Sequence, residues 1–290
     1  MKISELLRSG RPTLSFEVFP PKTSDSFESI RKATEEIAKT RPAFMSVTYG
    51  AGGGTGHYTL DIAENLLRRS GVTPLAHLTC VDSTRESILE RLGAFRAAGI
   101  ENVMALRGDI PKEPRLPQER WAYRHASELM REVRDYGGFC IGGACYPETH
   151  PESLSRRDDI AHLKEKVDCG CDFLTTQMFF DNNILFNFMY QLRDAGIDVP
   201  VIAGVMPVTN ASSVTRIIRL SGTQLPQRFK ALVDRFGSDP DAMMQAGIAY
   251  ATDQIIDLYA NGIEHVHVYT MNKPEVARKI TENLSAILGK

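Results

Sequence analysis

Residues 74–107 read PLAHLTCVDSTRESILERLGAFRAAGIENVMALR. An apolar run at 74–80 gives way to a polar loop, apolar residues return at helical spacing over 84–98, and a second strand-like run follows at 102–107. This is a strand–helix–strand unit, and the same pattern recurs in both directions. Strands are predicted at 14–19, 44–49, 74–80, 102–107, 139–146, 173–180, 200–206 and 265–270. Helices are predicted at 26–39, 58–69, 84–98, 119–135, 155–169, 183–195, 210–220, 242–260 and 274–287. Before the eighth strand, residues 220–240 insert further helical structure. Eight such units in 290 residues, with no linker-like stretch, predict one α/β domain over 1–290. Its expected form is a (β/α)8 barrel with extra helical structure ahead of the eighth strand. A doubly wound sheet uses fewer strands and often carries a nucleotide fingerprint. The loop Gly50–Gly56 has no register matching G-x-G-x-x-G and no following Lys-Ser/Thr, so it reads as a permissive loop that lets backbone approach a ligand.

With 42% apolar and 24% charged residues the chain can bury a substantial core, which excludes disorder and fibrous structure. Thirty-four Lys+Arg against 36 Asp+Glu leave a net charge of -2, so no global field draws the chain to nucleic acid or an anionic membrane. Any anionic ligand must be caught locally. No stretch approaches the roughly 18–20 apolar residues that span a bilayer, and the N-terminus lacks a signal-like apolar run, so a cytoplasmic location is expected. The five cysteines show no C-x-x-C spacing. Cys169 and Cys171, flanking one glycine, read as small buried thiols at a helix end.

In a barrel the chemistry sits at the C-terminal ends of the strands. These ends carry Glu17 with Phe19-Pro20-Pro21, Thr48-Tyr49-Gly50, His77 and Thr79, Arg107-Gly108-Asp109, Tyr146-Pro147-Glu148 with His150, Gln177, Met206-Pro207, and Tyr269-Thr270 with Asn272 and Lys273. Glu17 alternates with Phe16 and Val18; it is solvated at the mouth, held in an ion pair, or desolvated into the general-acid range. Arg107 and Asp109 offer a guanidinium for phosphate and a carboxylate for an amide edge, or else a surface pair. Gln177 needs partners, backbone or ligand. His265 and His267 share a strand face, yet no third ligand accompanies them in sequence, and no metal is expected.

Ser15-Phe16-Glu17-Val18-Phe19-Pro20-Pro21, Ser46-Val47-Thr48-Tyr49-Gly50-Ala51, Pro74-Leu75-Ala76-His77-Leu78-Thr79-Cys80 and Ala105-Leu106-Arg107-Gly108-Asp109 follow one another in an order that resembles methylenetetrahydrofolate reductases. Tyr146-Pro147-Glu148-Thr149-His150-Pro151, Thr176-Gln177-Met178-Phe179-Phe180-Asp181 and Val268-Tyr269-Thr270-Met271-Asn272-Lys273 extend the match over nearly the whole chain. The length is similar to the short bacterial form. The resemblance implies an FAD-dependent barrel in which NADH or NADPH reduces the flavin and leaves. Methylenetetrahydrofolate then takes its place and receives a hydride, a ping-pong reaction that supplies methyl groups for methionine synthesis. A homo-oligomer is expected by the same resemblance.

By resemblance Glu17 is the acid that opens the folate's five-membered ring to an iminium, Asp109 favours that cation and holds the pterin edge, and Gln177 touches folate or nicotinamide in turn. The flavin-binding pattern carries to Thr48, Tyr49, Ala51, His77, Arg107, Gly108, Asp109, Tyr146, His150, Asp159 and Lys166. A family Tyr-Ala pair on the fourth helix falls at His125-Ala126 and an Asn on the fifth at His162. Glu165 stands where members often carry Arg, removing a cation near the FAD phosphates, for which Arg156 or Arg157 would compensate. A nicotinamide-stacking aromatic falls at Ile217. Lys273 replaces a common Arg toward the folate's glutamate tail, keeping the charge but losing the fork.

Two other classes use the same barrel. A non-redox pterin-binding methyltransferase would not need the FAD set, and a metal-dependent hydrolase would gather His77, His150, His265 and His267 around zinc. A binding scaffold is the weakest reading, because ionisable and amide groups crowd the predicted mouth.

Overall fold

A computed structural model describes residues 1–21, 26–49 and 56–289. Its strands are β1 (Thr13–Val18), β2 (Met45–Val47), β3 (Pro74–Thr79), β4 (Asn102–Leu106), β5 (Cys140–Cys145), β6 (Phe173–Thr176), β7 (Val201–Val205) and β8 (His265–Tyr269), all parallel and closed in that order. The first and eighth pair directly, Thr13 with His265 through Glu17 with Tyr269. The expected barrel is therefore the observed one.

The helices are α1 (Ile3–Leu6), α2 (Phe27–Ala38), α3 (Gly56–Asn65), α4 (Arg85–Ala97), α5 (Ala126–Tyr136), α6 (Arg156–Asp168), α7 (Asn182–Asp194), α8 (Val214–Ser221), α9 (Gln227–Phe236), α10 (Pro240–Ala260) and α11 (Pro274–Asn283). Helix α9 is the extra element expected before the eighth strand. Three expectations need correction. The helix expected at 119–135 begins at Ala126, because residues 118–120 form a separate 3-10 turn. The strand expected at 173–180 stops at Thr176, and the chain then turns out of the sheet toward the Asp181 cap of α7. Helix α1 was not expected, since four residues carry no periodic signal.

Alternation sorts each strand into two environments. Leu14, Phe16 and Val18 of β1 join the main core between sheet and helices, while Ser15 and Glu17 point the other way, into the barrel. The bottom of the barrel holds a separate apolar cluster of Phe44, Leu75, Met104, Cys140, Phe173 and Ile202, capped by Ile3 and Leu7 from α1 and its following turn. Each of those two plugs, fully removed from water, contributes about 1.5–3 kcal/mol. Asn102 locks the plug by accepting from the Ile3 N–H at 2.8 Å, and the Leu7 carbonyl lies 2.8 Å from His265 Nε2. With the bottom sealed, access to the barrel interior is from the C-terminal end.

Candidate active site

Above the apolar floor the barrel interior is polar. The Ser15 hydroxyl donates to the Val266 carbonyl at 3.0 Å, and its oxygen lies 2.7 Å from His267 Nδ1. A ring N–H at Nδ1 satisfies that contact, because the Ser15 proton is already directed at a carbonyl, which can only accept. Burial pushes the His267 pKa down to about 3, with a smaller contribution from His77, so the ring is neutral and its Nε2 is bare. Ser46 Oγ lies 2.9 Å from that Nε2 and 3.4 Å from Glu17 Oε2.

Glu17 sits at the top of this chain, paired in register with Ser46 on one side and Tyr269 on the other. Burial raises its pKa to about 7, opposed by the Ser46 hydroxyl. Its side chain keeps 21% exposure, enough to meet a ligand at the mouth. His77 Nε2 lies 3.8 Å from the carboxyl, and burial lowers the His77 pKa to about 4. Of the three readings open for Glu17, the desolvated acid is the one this environment favours.

Beside Glu17 a cavity of about 670 Å³ opens over strands β2 to β5, within the roughly 300–1,000 Å³ typical of small-molecule sites. Every described position expected to hold the cofactor lines it. Thr48 and Tyr49 come from the end of β2, His77 from β3, and Arg107, Gly108 and Asp109 from the end of β4. Tyr146 and His150 follow β5, His125 and Ala126 open α5, and Asp159, His162 and Lys166 come from α6. Ala51 lies outside the described residues. Gly108 has φ +86, and a Cβ there would stand 2.9 Å from Thr79 Cβ, so only glycine lets the chain turn under the cavity. The Arg107 guanidinium forms a two-point ion pair with Glu152, one of whose contacts is 2.8 Å. Lys166 donates to the Ala144 carbonyl at 2.9 Å, and burial lowers its pKa.

Of the expected substrate side chains Asp109 lines this cavity, whereas Glu17, Gln177 and Lys273 do not. The Tyr146 hydroxyl hydrogen-bonds the Gln177 side chain, whose Oε1 also accepts from the Met178 N–H at 3.0 Å. Lys273 donates to Thr209 Oγ1 at 2.7 Å. Asn272 takes both backbone groups of Phe19 with its amide, at 3.0 and 2.9 Å, and so ties the Phe19-Pro20-Pro21 turn to the end of β8.

Several expectations change here. His125 is not within a helix; it is the residue before α5, its backbone N–H held by Glu128 at 3.0 Å. Arg156 cannot compensate for Glu165, since it is committed to Gln191, to the carbonyls of Tyr146 and Pro147, and to the face of Phe188. Neither Arg156 nor Arg157 lines the cavity. Glu165 does, 3.9 Å from His162. Ile217 is buried with Phe180, Val208, Phe229 and Met243, packing α8 on α9. The four histidines of the zinc reading do not gather. His265 is held by Thr13 and Leu7 at the bottom, His267 by two serines in mid-barrel, and His150 Nδ1 accepts from the Glu152 N–H. Among the described residues no group of three or more His, Cys, Asp or Glu is placed to hold a metal ion. Cys169 and Cys171 are buried and unpaired with any disulfide, Cys169 capping α6 as expected. No helix among the described residues is long and apolar enough to cross a membrane.

Several residues of the wall lie outside the sequence-predicted set, among them Asp82, Arg115, Glu152 and Arg91 of α4. Arg91 is the one whose guanidinium lies over the Tyr49 ring. It lies three residues after Ile88 and four before Phe95, both buried, so a cation on the apolar stripe of a helix was the signal available in the sequence.

Fold resemblance reaches proteins of low identity. An uncharacterised protein from Clostridium thermocellum that binds two copies of 5-methyl-5,6,7,8-tetrahydrofolic acid superposes with a TM-score of 0.71 at 14% identity, covering 99% of this chain and 100% of that one. A tryptophan synthase chain from M. tuberculosis gives 0.54 at 12%, covering 99% and 100%. At these identities the likeness concerns the barrel alone. Sequence relatives are nearer. The 5,10-methylenetetrahydrofolate reductase of Pectobacterium carotovorum is 34% identical over 275 residues, 95% of this chain and 91% of that protein, and that of Escherichia coli K12 is 32% identical over 280 residues, covering 97% and 93%. Methylenetetrahydrofolate reductase (NADH) 1 of Arabidopsis thaliana is 34% identical over 300 residues, 99% of this chain but 50% of the plant protein. The model of the methylenetetrahydrofolate reductase family matches residues 2–285, and with that span and these relatives the chain belongs to this family.

Proposed function

We propose that this family member reduces 5,10-methylenetetrahydrofolate to 5-methyltetrahydrofolate with bound FAD and NADH or NADPH, in two half-reactions through one site. The observation that carries the reading is a carboxyl with a raised pKa, Glu17, at the edge of a cavity that collects every described position of the expected flavin set. The cavity suits a polar, anionic dinucleotide. Lys166 supplies a cation and Arg107 a second, held in place by Glu152, Gly108 clears room for backbone to approach, and the buried Tyr49 hydroxyl and His77 Nε2 have no hydrogen-bond partner among the described residues. FAD, when bound, supplies the means to carry a hydride from the nicotinamide donor to the folate carbon.

The protein's own part is proton delivery, charge and orientation. Near neutral pH a substantial fraction of Glu17 carries a proton to give to N10 of the folate, converting a poor hydride acceptor into an iminium. Asp109, exposed at the rim, would stabilise the cation and hold the pterin's amino-amide edge. Gln177, braced by Tyr146, would present its amide to folate or nicotinamide. Lys273 would meet the folate's carboxylates.

The test is a visible spectrum of the purified protein, followed anaerobically by NADH or NADPH and then by methylenetetrahydrofolate. A flavin spectrum that bleaches with the donor and returns with the folate is expected, and the faster donor is the physiological one. A colourless protein that FAD does not reconstitute would overturn the reading in favour of a flavin-independent folate barrel.

A further inference from the structure

Arg91 occupies a position that its surroundings do not satisfy. Its guanidinium carbon lies 5.0 Å from the centroid of the Tyr49 ring. Its Nη1 is buried with no hydrogen-bond partner among the described residues, and so is the Tyr49 hydroxyl. Both residues line the cavity. Two buried donors left without an acceptor at one corner are costly unless a ligand completes them, and an oxygen-rich anion does so with charge as well as hydrogen bonds.

The neighbouring groups do not fill that role. The Asp82 carboxylate accepts from the backbone N–H groups of Arg115 and Leu116 at 3.0 and 2.7 Å and lies 3.5 Å from the Arg115 side chain. Arg91 and Arg115 both act on Tyr49 as positive charges, lowering its pKa against the larger upward effect of burial. Elsewhere in the lining, Glu165 stands where the family resemblance places a cation, and Arg156 is committed to other partners.

We propose that Arg91 and the Tyr49 hydroxyl form an anion-recognising corner that takes a phosphate oxygen of the flavin dinucleotide, so that α4 supplies the cation α6 lacks. This rests on the flavin reading above. The ring stack holds the guanidinium plane in place, leaving its outer edge for the phosphate.

The experiment titrates apoprotein with riboflavin, FMN and FAD, following flavin fluorescence, for the wild type, Arg91→Met, Arg91→Lys and Tyr49→Phe. Methionine keeps an unbranched apolar stem on the helix, and thermal melts report whether each variant folds. Arg91→Met is expected to weaken FAD by about 10- to 100-fold, the range of a hydrogen bond to a charged group, while riboflavin affinity stays put. Loss for FMN as well would place the contact at the phosphate nearer the ribityl chain; loss for FAD alone would place it at the outer one, and both support the proposal. Arg91→Lys should fall between, Tyr49→Phe should lose several-fold, and the salt dependence of FAD binding should flatten in Arg91→Met. Equal weakening of riboflavin and FAD, or no change in any variant that folds, would overturn the proposal while leaving the flavin reading intact. A wild type that binds none of the three flavins would overturn both. Should Arg91→Met fail to fold, the Arg91→Lys and Tyr49→Phe pair decides by the same comparison.

Discussion

Glu17 Oε2 and His77 Nε2 lie 3.8 Å apart, an ion-pair distance, yet their ionisation order is reversed. Burial carries the carboxyl up to about 7 and the imidazole down to about 4, so between those values both are predominantly neutral. A pair that desolvation keeps uncharged can hold a transferable proton, whereas a carboxylate–imidazolium pair would have held it on the histidine.

Glu17→Gln should therefore separate the two half-reactions. Glutamine keeps the shape and loses the acid. Bleaching of bound flavin by the nicotinamide donor should persist, and stopped-flow reoxidation by methylenetetrahydrofolate should slow by about 100-fold or more, the range of general acid catalysis. Survival of both half-reactions would remove Glu17 from the acid role.

The same shift predicts a stability signature. A carboxyl whose folded pKa is raised binds more protons folded than unfolded between about 4.5 and 7, so its contribution to stability declines as pH rises through that window. His77 acts oppositely: its folded pKa is lowered, so its contribution grows as pH rises from about 4 to 6.5. In the wild type the two trends offset one another. Glu17→Gln should unmask the histidine's slope and stabilise the protein at pH 8 by on the order of 1–3 kcal/mol, measured by urea unfolding. An unchanged pH profile would contradict the raised pKa.

His267 should tune that acid without touching substrate. Its bare Nε2, at 2.9 Å, competes with Glu17, at 3.4 Å, for the single Ser46 proton. His267→Phe keeps the stack on Phe44 and releases Ser46 to donate to the carboxylate, which favours ionisation. The alkaline limb of the folate half-reaction should move down by about 0.5–1 pH unit. A change in KM with an unmoved limb would mean that His267 serves packing alone.

Asp109→Asn should impair reoxidation by the folate more than reduction by the donor, because the exposed rim carboxylate is proposed to meet the cationic form of the substrate. Equal losses in the two half-reactions, seen by stopped flow, would point to weakened flavin binding through Arg107 and Gly108.

Gly204→Ala tests the packing of the mouth. A Cβ there would lie 2.3 Å from the Thr176 carbonyl oxygen and 2.4 Å from the Tyr269 hydroxyl, the two atoms joined by a 2.6 Å hydrogen bond. The clash with backbone cannot be relieved by rotating a side chain. A loss of about 1–3 kcal/mol or more is expected in chemical denaturation. A variant as stable as the wild type would show that β7 can shift without cost.

Much of this was legible in the chain itself. Eight alternations of strand and helix pattern predict a parallel sheet covered by helices, and the strand number with the missing nucleotide fingerprint favours its closed form over a doubly wound one. The ordered motifs then named the strand ends, and the described positions of the expected cofactor set line one cavity. Tertiary structure decided what distance along the chain conceals. The Ser15–His267–Ser46 chain that leads to Glu17 comes from three strands, and its hydrogen-bond polarity follows from a carbonyl on the eighth. Arg156, a plausible phosphate ligand by proximity in sequence, is spent on bracing the loop after β5, while Arg91, on a helix that no motif marked, reaches the cavity. Residue type and period determine which elements form and which face they bury; which charges are left without a partner depends on neighbours that only the closed barrel brings within hydrogen-bonding reach.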